Sequence, residues 1–164
     1  MKVKFAGNDV TLVGKELKVG DSVPDFTLVN NGLAPVSLKD TKGVRVFIAV
    51  PSIDTKVCDI EVSTFNEKIS DLPNITVYTV SMDLPFAQAR WCANKGIKNV
   101  IALSDFKDRT FGQNFGVYIK EVGLLARASF VVDSSNKVTF VEYLPDVSLE
   151  PNYDVILEAA KAAK

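Results

Sequence analysis

The chain has 164 residues, of which 47% are apolar and 24% charged, and this length and composition are typical of one globular domain spanning residues 1–164. Nineteen Lys and Arg residues stand against 20 Asp and Glu residues, so the formal net charge of −1 provides no positive field that would attract nucleic acid or an anionic membrane. Histidine is absent and only two cysteines are present, which excludes histidine-dependent nucleophile pairs, tetrahedral zinc sites and four-cysteine iron–sulfur sites.

The beginning of the chain lacks the apolar stretch of a secretory signal peptide, and no run of about 18 apolar residues occurs in the sequence. Two cysteines are too few for a disulfide-stapled secreted domain. Because Cys58 and Cys92 lie far apart in the chain, they do not form a C-x-x-C pair either. We therefore expect a soluble, cytoplasmic protein with neither a membrane nor a nucleic-acid partner.

The first element is a predicted β-hairpin, because Lys2–Ala6 and Asp9–Val13 alternate polar and apolar residues around the turn dipeptide Gly7-Asn8. We expect this hairpin to decorate the main sheet. Two short strand-like runs follow at Val23–Val29 and near Val36–Leu38, separated by a turn.

From Val44 onward, predicted strands alternate with predicted helices. The predicted strands are Val44–Val50, Ile75–Met82, Asn99–Leu103, Leu124–Val132 and Val138–Glu142. The predicted helices are Thr55–Ser70, Leu84–Lys95 and Asn152–Ala163, and Asp105–Phe115 is expected to be a loop with a short helical turn. This order predicts an α/β domain with a thioredoxin-like fold, in which helices flank a central mixed sheet and the hairpin forms an N-terminal extension.

Cys58 falls in the first turn of the helix that follows the buried strand Val44–Val50. Free N–H groups and the positive end of the helix dipole favour an anion at this position, and a thiolate is an anionic nucleophile. The alternative is an ordinary core residue, because Cys58 also continues an apolar stripe with Val62 and Phe65. The helix pattern supports the two interpretations equally.

Thr55 and Pro51 each have a structural and a chemical interpretation. Thr55 is suited to the helix N-cap, and from the same turn its hydroxyl could also reach the Cys58 sulfur and a bound oxygen. Pro51 ends the strand, and a proline at this bend could also shield a thiolate from water.

Arg127 stands in the otherwise apolar segment Leu124–Val132, where alternation places it on the same side as Leu125 and Ser129. A guanidinium is costly to bury unless it meets an anion, whereas at a sheet edge it is simply solvated. Both interpretations are open, and a thiolate is one candidate for the anion.

Cys92 lies late in its helix beside Trp91, and the simplest interpretation is a partly buried small apolar residue. If Cys58 is oxidised to a sulfenic acid, a nearby thiol can condense with it to a disulfide. A disulfide needs Cα atoms within about 7 Å, which two helices rarely offer at such positions. Pairing of Cys58 with Cys92 would therefore require local unwinding of one or both helices.

The pattern Pro51-x-x-x-Thr55-x-x-Cys58 resembles the peroxidatic motif of peroxiredoxins. With Ser52-Ile53-Asp54 before Thr55 and a second cysteine at Cys92, the chain is similar to the thiol peroxidase subfamily, the atypical two-cysteine type. The likeness extends over nearly the whole chain. Further matching segments are Phe115-Gly116-Val117, Leu125-Ala126-Arg127-Ala128, Val131-Val132-Asp133 and Glu150-Pro151-Asn152-Tyr153.

The resemblance implies a peroxidase in which Cys58 attacks the peroxide O–O bond and Cys92 resolves the sulfenic acid as an intramolecular disulfide. Thr55 and Arg127 match the family positions that bind the peroxide and stabilise the thiolate, and Pro51 matches the position that shields it. The resemblance also implies hydrogen peroxide and organic hydroperoxides as substrates, thioredoxin as the reductant and a homodimer, with no metal or prosthetic group.

Two other functions are compatible with the same residues. A thioredoxin-fold redox sensor or interaction module would keep the reactive thiol and would switch a partner surface through the disulfide. An inert structural disulfide would exchange little with cellular reductants and would stabilise the fold by about 3–4 kcal/mol.

Overall fold

The computed structural model describes residues 1–164, which form two β-sheets and four α-helices. The strands are β1 (Lys2–Phe5), β2 (Asn8–Val13), β3 (Thr27–Val29), β4 (Pro35–Ser37), β5 (Val44–Ala49), β6 (Ile75–Ser81), β7 (Val100–Ser104), β8 (Tyr118–Ile119), β9 (Leu124–Leu125), β10 (Ala128–Val132) and β11 (Val138–Tyr143). The helices are α1 (Lys56–Lys68), α2 (Pro85–Lys95), α3 (Thr110–Asn114) and α4 (Tyr153–Ala162).

The larger sheet has seven strands in the order β11-β10-β5-β6-β7-β3-β4. Strands β5, β6 and β7 are parallel and the other pairs are antiparallel, so the predicted central mixed sheet is confirmed. All six residues of β5 are buried, as its continuous apolar run indicated. This strand leads directly into the loop that precedes α1.

Apolar cores lie on both faces of the large sheet. Alternate residues of β5 belong to different clusters, with Phe47 in one and Val46 in the other. The Val46 cluster includes buried side chains of α1, α2 and α4, whereas the Phe47 cluster includes Phe111 of α3. The predicted arrangement of helices flanking the sheet is therefore confirmed.

The predicted N-terminal hairpin forms, but its turn and its partner differ from the expectation. The two residues with positive φ are Ala6 and Gly7, so the primed turn lies one residue earlier than Gly7-Asn8, and Asn8 begins β2. The hairpin does not join the main sheet. It belongs to a separate four-stranded sheet in the order β1-β2-β8-β9, in which Leu12 pairs with Ile119.

The prediction of one continuous strand over Leu124–Val132 is wrong at Ala126-Arg127. Here the chain leaves β9 in the small sheet and enters β10 in the large one. The Ala126 N–H donates to the Val117 carbonyl, and the Arg127 carbonyl accepts from the Leu144 N–H. Arg127 lies between two strands of different sheets, so the alternation of side chains between the two faces of a strand does not determine where its side chain points.

The predicted helices are confirmed to within about two residues at each end, and Asp105–Phe115 contains the expected short helix, α3. Leu84 is the N-cap of α2, Pro85 is in its first turn, and Gly96 ends it in the left-handed conformation. None of the helices has the length and apolar composition needed to span a bilayer.

Gly14 allows the small sheet to approach α3 closely. Its φ is +97°, and a Cβ atom at this position would lie 2.0 Å from the Gln113 carbonyl oxygen. Gly20 has nearly the same φ, +96°, but a Cβ atom there would meet nothing within 4 Å. Alanine substitutions at the two glycines therefore distinguish the cost of backbone strain, which both share, from the cost of steric overlap, which only Gly14 has.

We expect Gly14→Ala to destabilise the protein more than Gly20→Ala. Both variants force an alanine into the left-handed region, at a cost of about 1–2 kcal/mol, and Gly14→Ala adds a backbone clash of about 1–3 kcal/mol. Urea denaturation of the two variants measures the difference in the free energy of unfolding. Equal losses would contradict the close approach at Gly14.

Candidate active site

Cys58 lies in the first turn of α1, and Thr55 is the N-cap of that helix, as predicted. The Thr55 hydroxyl accepts a hydrogen bond from the Cys58 N–H at 3.2 Å and donates to the Ser52 carbonyl at 3.1 Å. These bonds use the hydroxyl proton and one of the two lone pairs of the oxygen, and the hydroxyl makes no hydrogen bond to the Cys58 sulfur. Thr55 itself is exposed, so its hydroxyl lies at the surface next to a buried cysteine.

The loop before α1 is held by the carboxylate of Asp83, which follows β6. One Asp83 oxygen accepts from the Ser52 hydroxyl at 2.7 Å, and the other accepts from the Ile53 N–H at 2.9 Å and from the Ser81 hydroxyl at 2.7 Å. The sequence analysis assigned no role to Asp83. The carboxylate ties the Cys58 loop to the start of α2, which carries Cys92.

Cys58 is both a core residue and a paired residue. It has no solvent exposure and packs in the apolar cluster with Val62 and Phe65. Its sulfur nevertheless accepts a hydrogen bond from Arg127 Nη2 at 3.1 Å. The two interpretations left open by the helix pattern are therefore combined in one residue.

Arg127 is 1% exposed, so the interpretation as a solvated sheet-edge residue is wrong and the buried interpretation is confirmed. Besides Cys58, the guanidinium has two other acceptors. Arg127 Nε donates to the Val147 carbonyl at 2.8 Å, and Nη1 forms a hydrogen-bonded ion pair with Glu61 Oε2. All three guanidinium nitrogens are engaged, which fixes its plane against the sulfur.

Glu61 is a member of the site that the sequence analysis missed. It is fully buried on α1 one turn after Cys58, and its Oε1 has no hydrogen-bond partner. A signal was present, since position 61 lies four residues before Phe65 and thus falls on the apolar stripe of the helix. A charged residue on that stripe requires a buried partner, and Arg127 provides it.

Burial sets the electrostatics of this cluster. Burial raises the pKa of Glu61 to about 7, although the Arg127 charge acts to lower it. Burial acts to lower the pKa of Arg127, but Glu61 and Cys58 outweigh it and the pKa is raised. Arg127 therefore remains a cation, while Glu61 is partly protonated near neutral pH.

No disulfide joins Cys58 and Cys92 in this structure. Both thiols are free, and Cys92 lines a cleft of about 320 Å³ with Ile97 and Ile101, among other residues, whereas Cys58 does not line it. Burial raises the pKa of the Cys92 thiol, which keeps that sulfur protonated and weakly nucleophilic. Pro51 is buried two residues after the end of β5, at the start of the loop that leads to Cys58.

Comparisons with known proteins identify relatives of this chain. The family model described as Redoxin matches residues 18–157. Over 164 residues the chain is 65% identical to the thiol peroxidase of Clostridium acetobutylicum, with 100% of each chain covered. It is 52% identical over 162 residues to the thiol peroxidase of Bacillus subtilis, covering 98% of this chain and 97% of the relative.

Among solved structures, the crystal structure of a peroxiredoxin-like protein from Aquifex aeolicus superposes with a TM-score of 0.92 at 42% identity. The superposition covers 98% of this chain and 96% of the other. This similarity confirms the predicted fold class.

The raised pKa of Glu61 predicts a pH dependence of stability. Between pH 4.5, the ordinary pKa of the carboxyl, and about 7, the folded protein binds this proton more tightly than the unfolded chain does. The contribution of the protonated Glu61 carboxyl to the stability of the folded protein is therefore complete at low pH, and it is lost as the pH rises through this window. Relative to Glu61→Gln, we expect the free energy of unfolding to fall by up to roughly 3 kcal/mol.

Urea denaturation of the protein and of Glu61→Gln at matched pH values measures this difference. The Gln variant keeps the size of the side chain, so subtraction gives the contribution of the Glu61 carboxyl together with its coupling to the groups that it contacts. A difference that is constant with pH, or that grows as the pH rises, would contradict the raised pKa.

Proposed function

The chain belongs to the Redoxin family and is a peroxidase, as its thiol peroxidase relatives indicate, and on that premise we propose that Cys58 is the residue that attacks the peroxide. The observation that carries this assignment is the Cys58 sulfur in the first turn of α1, 3.1 Å from the buried guanidinium of Arg127. Helix N-terminus and cation both stabilise a thiolate there. The resemblance to peroxiredoxins and the prediction of a peroxidase are confirmed.

In the proposed first step, the Cys58 thiolate attacks one oxygen of the peroxide. An S–O bond forms and the O–O bond breaks, so that the sulfur is oxidised to a sulfenic acid. The second oxygen leaves as hydroxide or alkoxide and takes a proton to give water or an alcohol. Arg127 keeps its charge throughout, and it stabilises the negative charge that develops on the leaving oxygen.

Thr55 and Pro51 complete the proposed substrate site. The Thr55 hydroxyl lies beside the Cys58 backbone at the exposed start of α1, where its second lone pair can accept a hydrogen bond from a peroxide O–H. Pro51 has no N–H and is buried between β5 and this loop, so it excludes water without adding a polar group of its own. Thr55 and Arg127 thus hold the peroxide, and Pro51 shields the thiolate.

In the proposed second step, Cys92 resolves the sulfenic acid as an intramolecular disulfide. Both thiols are free in this structure and are carried by helices that contribute to the same apolar cluster. The chain offers no third cysteine for the reaction. The first turn of α1 and the last turns of α2 are then the segments that must move.

Hydrogen peroxide and organic hydroperoxides are the proposed substrates, and thioredoxin is the proposed reductant of the disulfide. The thiol peroxidase relatives support a peroxide substrate. We also propose a homodimer. Its support is the exposed apolar surface of Leu84 and Phe86 at the start of α2, beside the loop anchored by Asp83.

Serine variants of the two cysteines are expected to block different steps of the reaction. Cys58→Ser should consume no peroxide. Cys92→Ser should consume about one equivalent and stop with one added oxygen on Cys58, because the attack is intact but the resolving thiol is missing. The unchanged protein should lose two hydrogens and link Cys58 to Cys92. Intact mass and peptide mapping after one equivalent of hydrogen peroxide distinguish these products.

Peroxide turnover by Cys58→Ser would exclude Cys58 as the attacking residue. Undiminished turnover of Cys92→Ser with thioredoxin and its reductase would instead show a one-cysteine cycle. If the mass of the unchanged protein does not alter, the peroxide chemistry lies elsewhere.

Thr55→Val and Thr55→Ser separate the helix cap from substrate binding. Thr55→Val should lose about 1 kcal/mol of stability and lower the second-order rate constant for peroxide on the order of 10²-fold, because it removes the hydroxyl. Thr55→Ser retains the hydroxyl and should keep both the stability and the rate constant of the unchanged protein. Denaturation and competition kinetics measure the two quantities. A stability loss in Thr55→Val with an unchanged rate constant would leave Thr55 as a cap only.

A further inference from the structure

A single carboxylate joins the two helices that carry the cysteines. Asp59 directly follows Cys58, and its two oxygens meet two residues of α2. Its Oδ1 accepts a hydrogen bond from the indole Nε1 of Trp91 at 3.1 Å, and its Oδ2 forms an ion pair with Lys95 Nζ at 3.1 Å. Trp91 in turn directly precedes Cys92. The contact therefore links the immediate neighbours of both thiols.

We propose that Asp59 is a positioning residue for the resolving step: through Trp91 and Lys95 it holds α1 and α2 in the reduced arrangement and so limits the rate at which Cys92 reaches oxidised Cys58. This inference rests on the proposed disulfide between the two cysteines. It concerns the rate of that step and not the peroxide attack.

The Asp59 contacts must break before the disulfide can form. Cys58 is enclosed in the first turn of α1, and Cys92 lines a cleft that Cys58 does not reach. Packed helices have axes about 8–10 Å apart, whereas a disulfide needs Cα atoms within about 7 Å. Unwinding either turn carries one end of the contact away from the other, because Asp59 and Trp91 are covalent neighbours of the moving cysteines.

The two contacts differ in strength. Trp91 is only 8% exposed, and Asp59 is the one acceptor of its indole N–H, so breaking this bond leaves a buried donor without a partner. The Lys95 ion pair lies nearer the surface and is screened by salt. The hydrogen bond from Trp91 is therefore the stronger restraint. Burial of the Cys92 thiol also slows the resolving step, because it raises the pKa of the thiol and keeps the sulfur protonated while the helix is folded.

The restraint affects a competition between two reactions of the sulfenic acid. In resolution, the Cys92 sulfur bonds to the Cys58 sulfur, the S–O bond breaks, and the oxygen leaves as water with the Cys92 proton. In the competing reaction, a second peroxide oxidises the Cys58 sulfenic acid to a sulfinic acid and is reduced to water or an alcohol. A longer-lived sulfenic acid reacts more often with a second peroxide.

Asp59→Ala and Asp59→Asn form a matched pair for the test. Both remove the negative charge beside Cys58, but Asn retains an oxygen that can accept the Trp91 hydrogen bond. Trp91→Phe removes the donor and changes no charge. We expect disulfide formation after peroxide attack to accelerate on the order of tenfold in Asp59→Ala and Trp91→Phe, and to remain within about twofold of the unchanged protein in Asp59→Asn.

Rapid quenching after one equivalent of hydrogen peroxide, followed by alkylation and mass analysis, measures the sulfenic acid and the disulfide separately over time. The sulfinic fraction at excess peroxide should fall in the two accelerated variants. Since Trp91 is the sole tryptophan, its fluorescence should change together with disulfide formation rather than with the attack. Lys68→Met is the control, because it removes an exposed ion pair between α1 and Asp154 and should change none of these rates.

Equal rates in Asp59→Ala, Asp59→Asn and the unchanged protein would overturn the assignment, and so would slower resolution in Asp59→Ala or Trp91→Phe. Failure of the unchanged protein to form any Cys58–Cys92 disulfide would instead overturn the proposed resolving step itself. Thermal denaturation of each reduced variant confirms that the compared proteins are folded.

Discussion

The candidate site depends on the burial of one guanidinium. A cation removed from water must be neutralised and fully hydrogen-bonded, and Arg127 meets this requirement through Cys58, Glu61 and the Val147 carbonyl. These acceptors come from α1 and from the segment after β11. The first two turns of α1 are therefore fixed against Arg127 by the same contacts that stabilise charge on the sulfur. Stability and reactivity at this position have one physical origin.

The sheet register explains why Arg127 can meet Cys58 across such a long stretch of sequence. Strand β10 is antiparallel to β5, and Ala128 is paired with Ala49 at the end of β5. Arg127 thus lies where β5 passes into the loop before α1. It is also the point at which the chain changes from the small sheet to the large one, so its side chain is free of the alternation of either strand.

Local patterns were sufficient to predict much of this arrangement. The buried strand, the Thr55 cap and the position of Cys58 in the first helical turn all follow from neighbouring residues. The turn at Ala6-Gly7 and the partner of the N-terminal hairpin did not, because that sheet is completed by β8, far along the chain. Glu61 and Asp59 were missed for a similar reason. The position of Glu61 on the apolar stripe indicates burial, but its partner, like the partners of Asp59, lies on another element and does not follow from neighbouring residues.

The two proposed steps place opposite demands on α1. Attack on a peroxide is favoured when the first turn is closed, because exclusion of water strengthens the interaction between the sulfur and Arg127. Resolution requires the same turn to open.

In the proposed reaction, oxidation converts an anionic thiolate into a neutral sulfenic acid, so Arg127 loses the charge of one of its two anionic partners. The attraction that holds the turn closed is therefore weaker after the attack than before it. The Asp59 carboxylate still joins the cysteine-bearing helices at that stage, because its contacts with Trp91 and Lys95 do not depend on the charge of the sulfur.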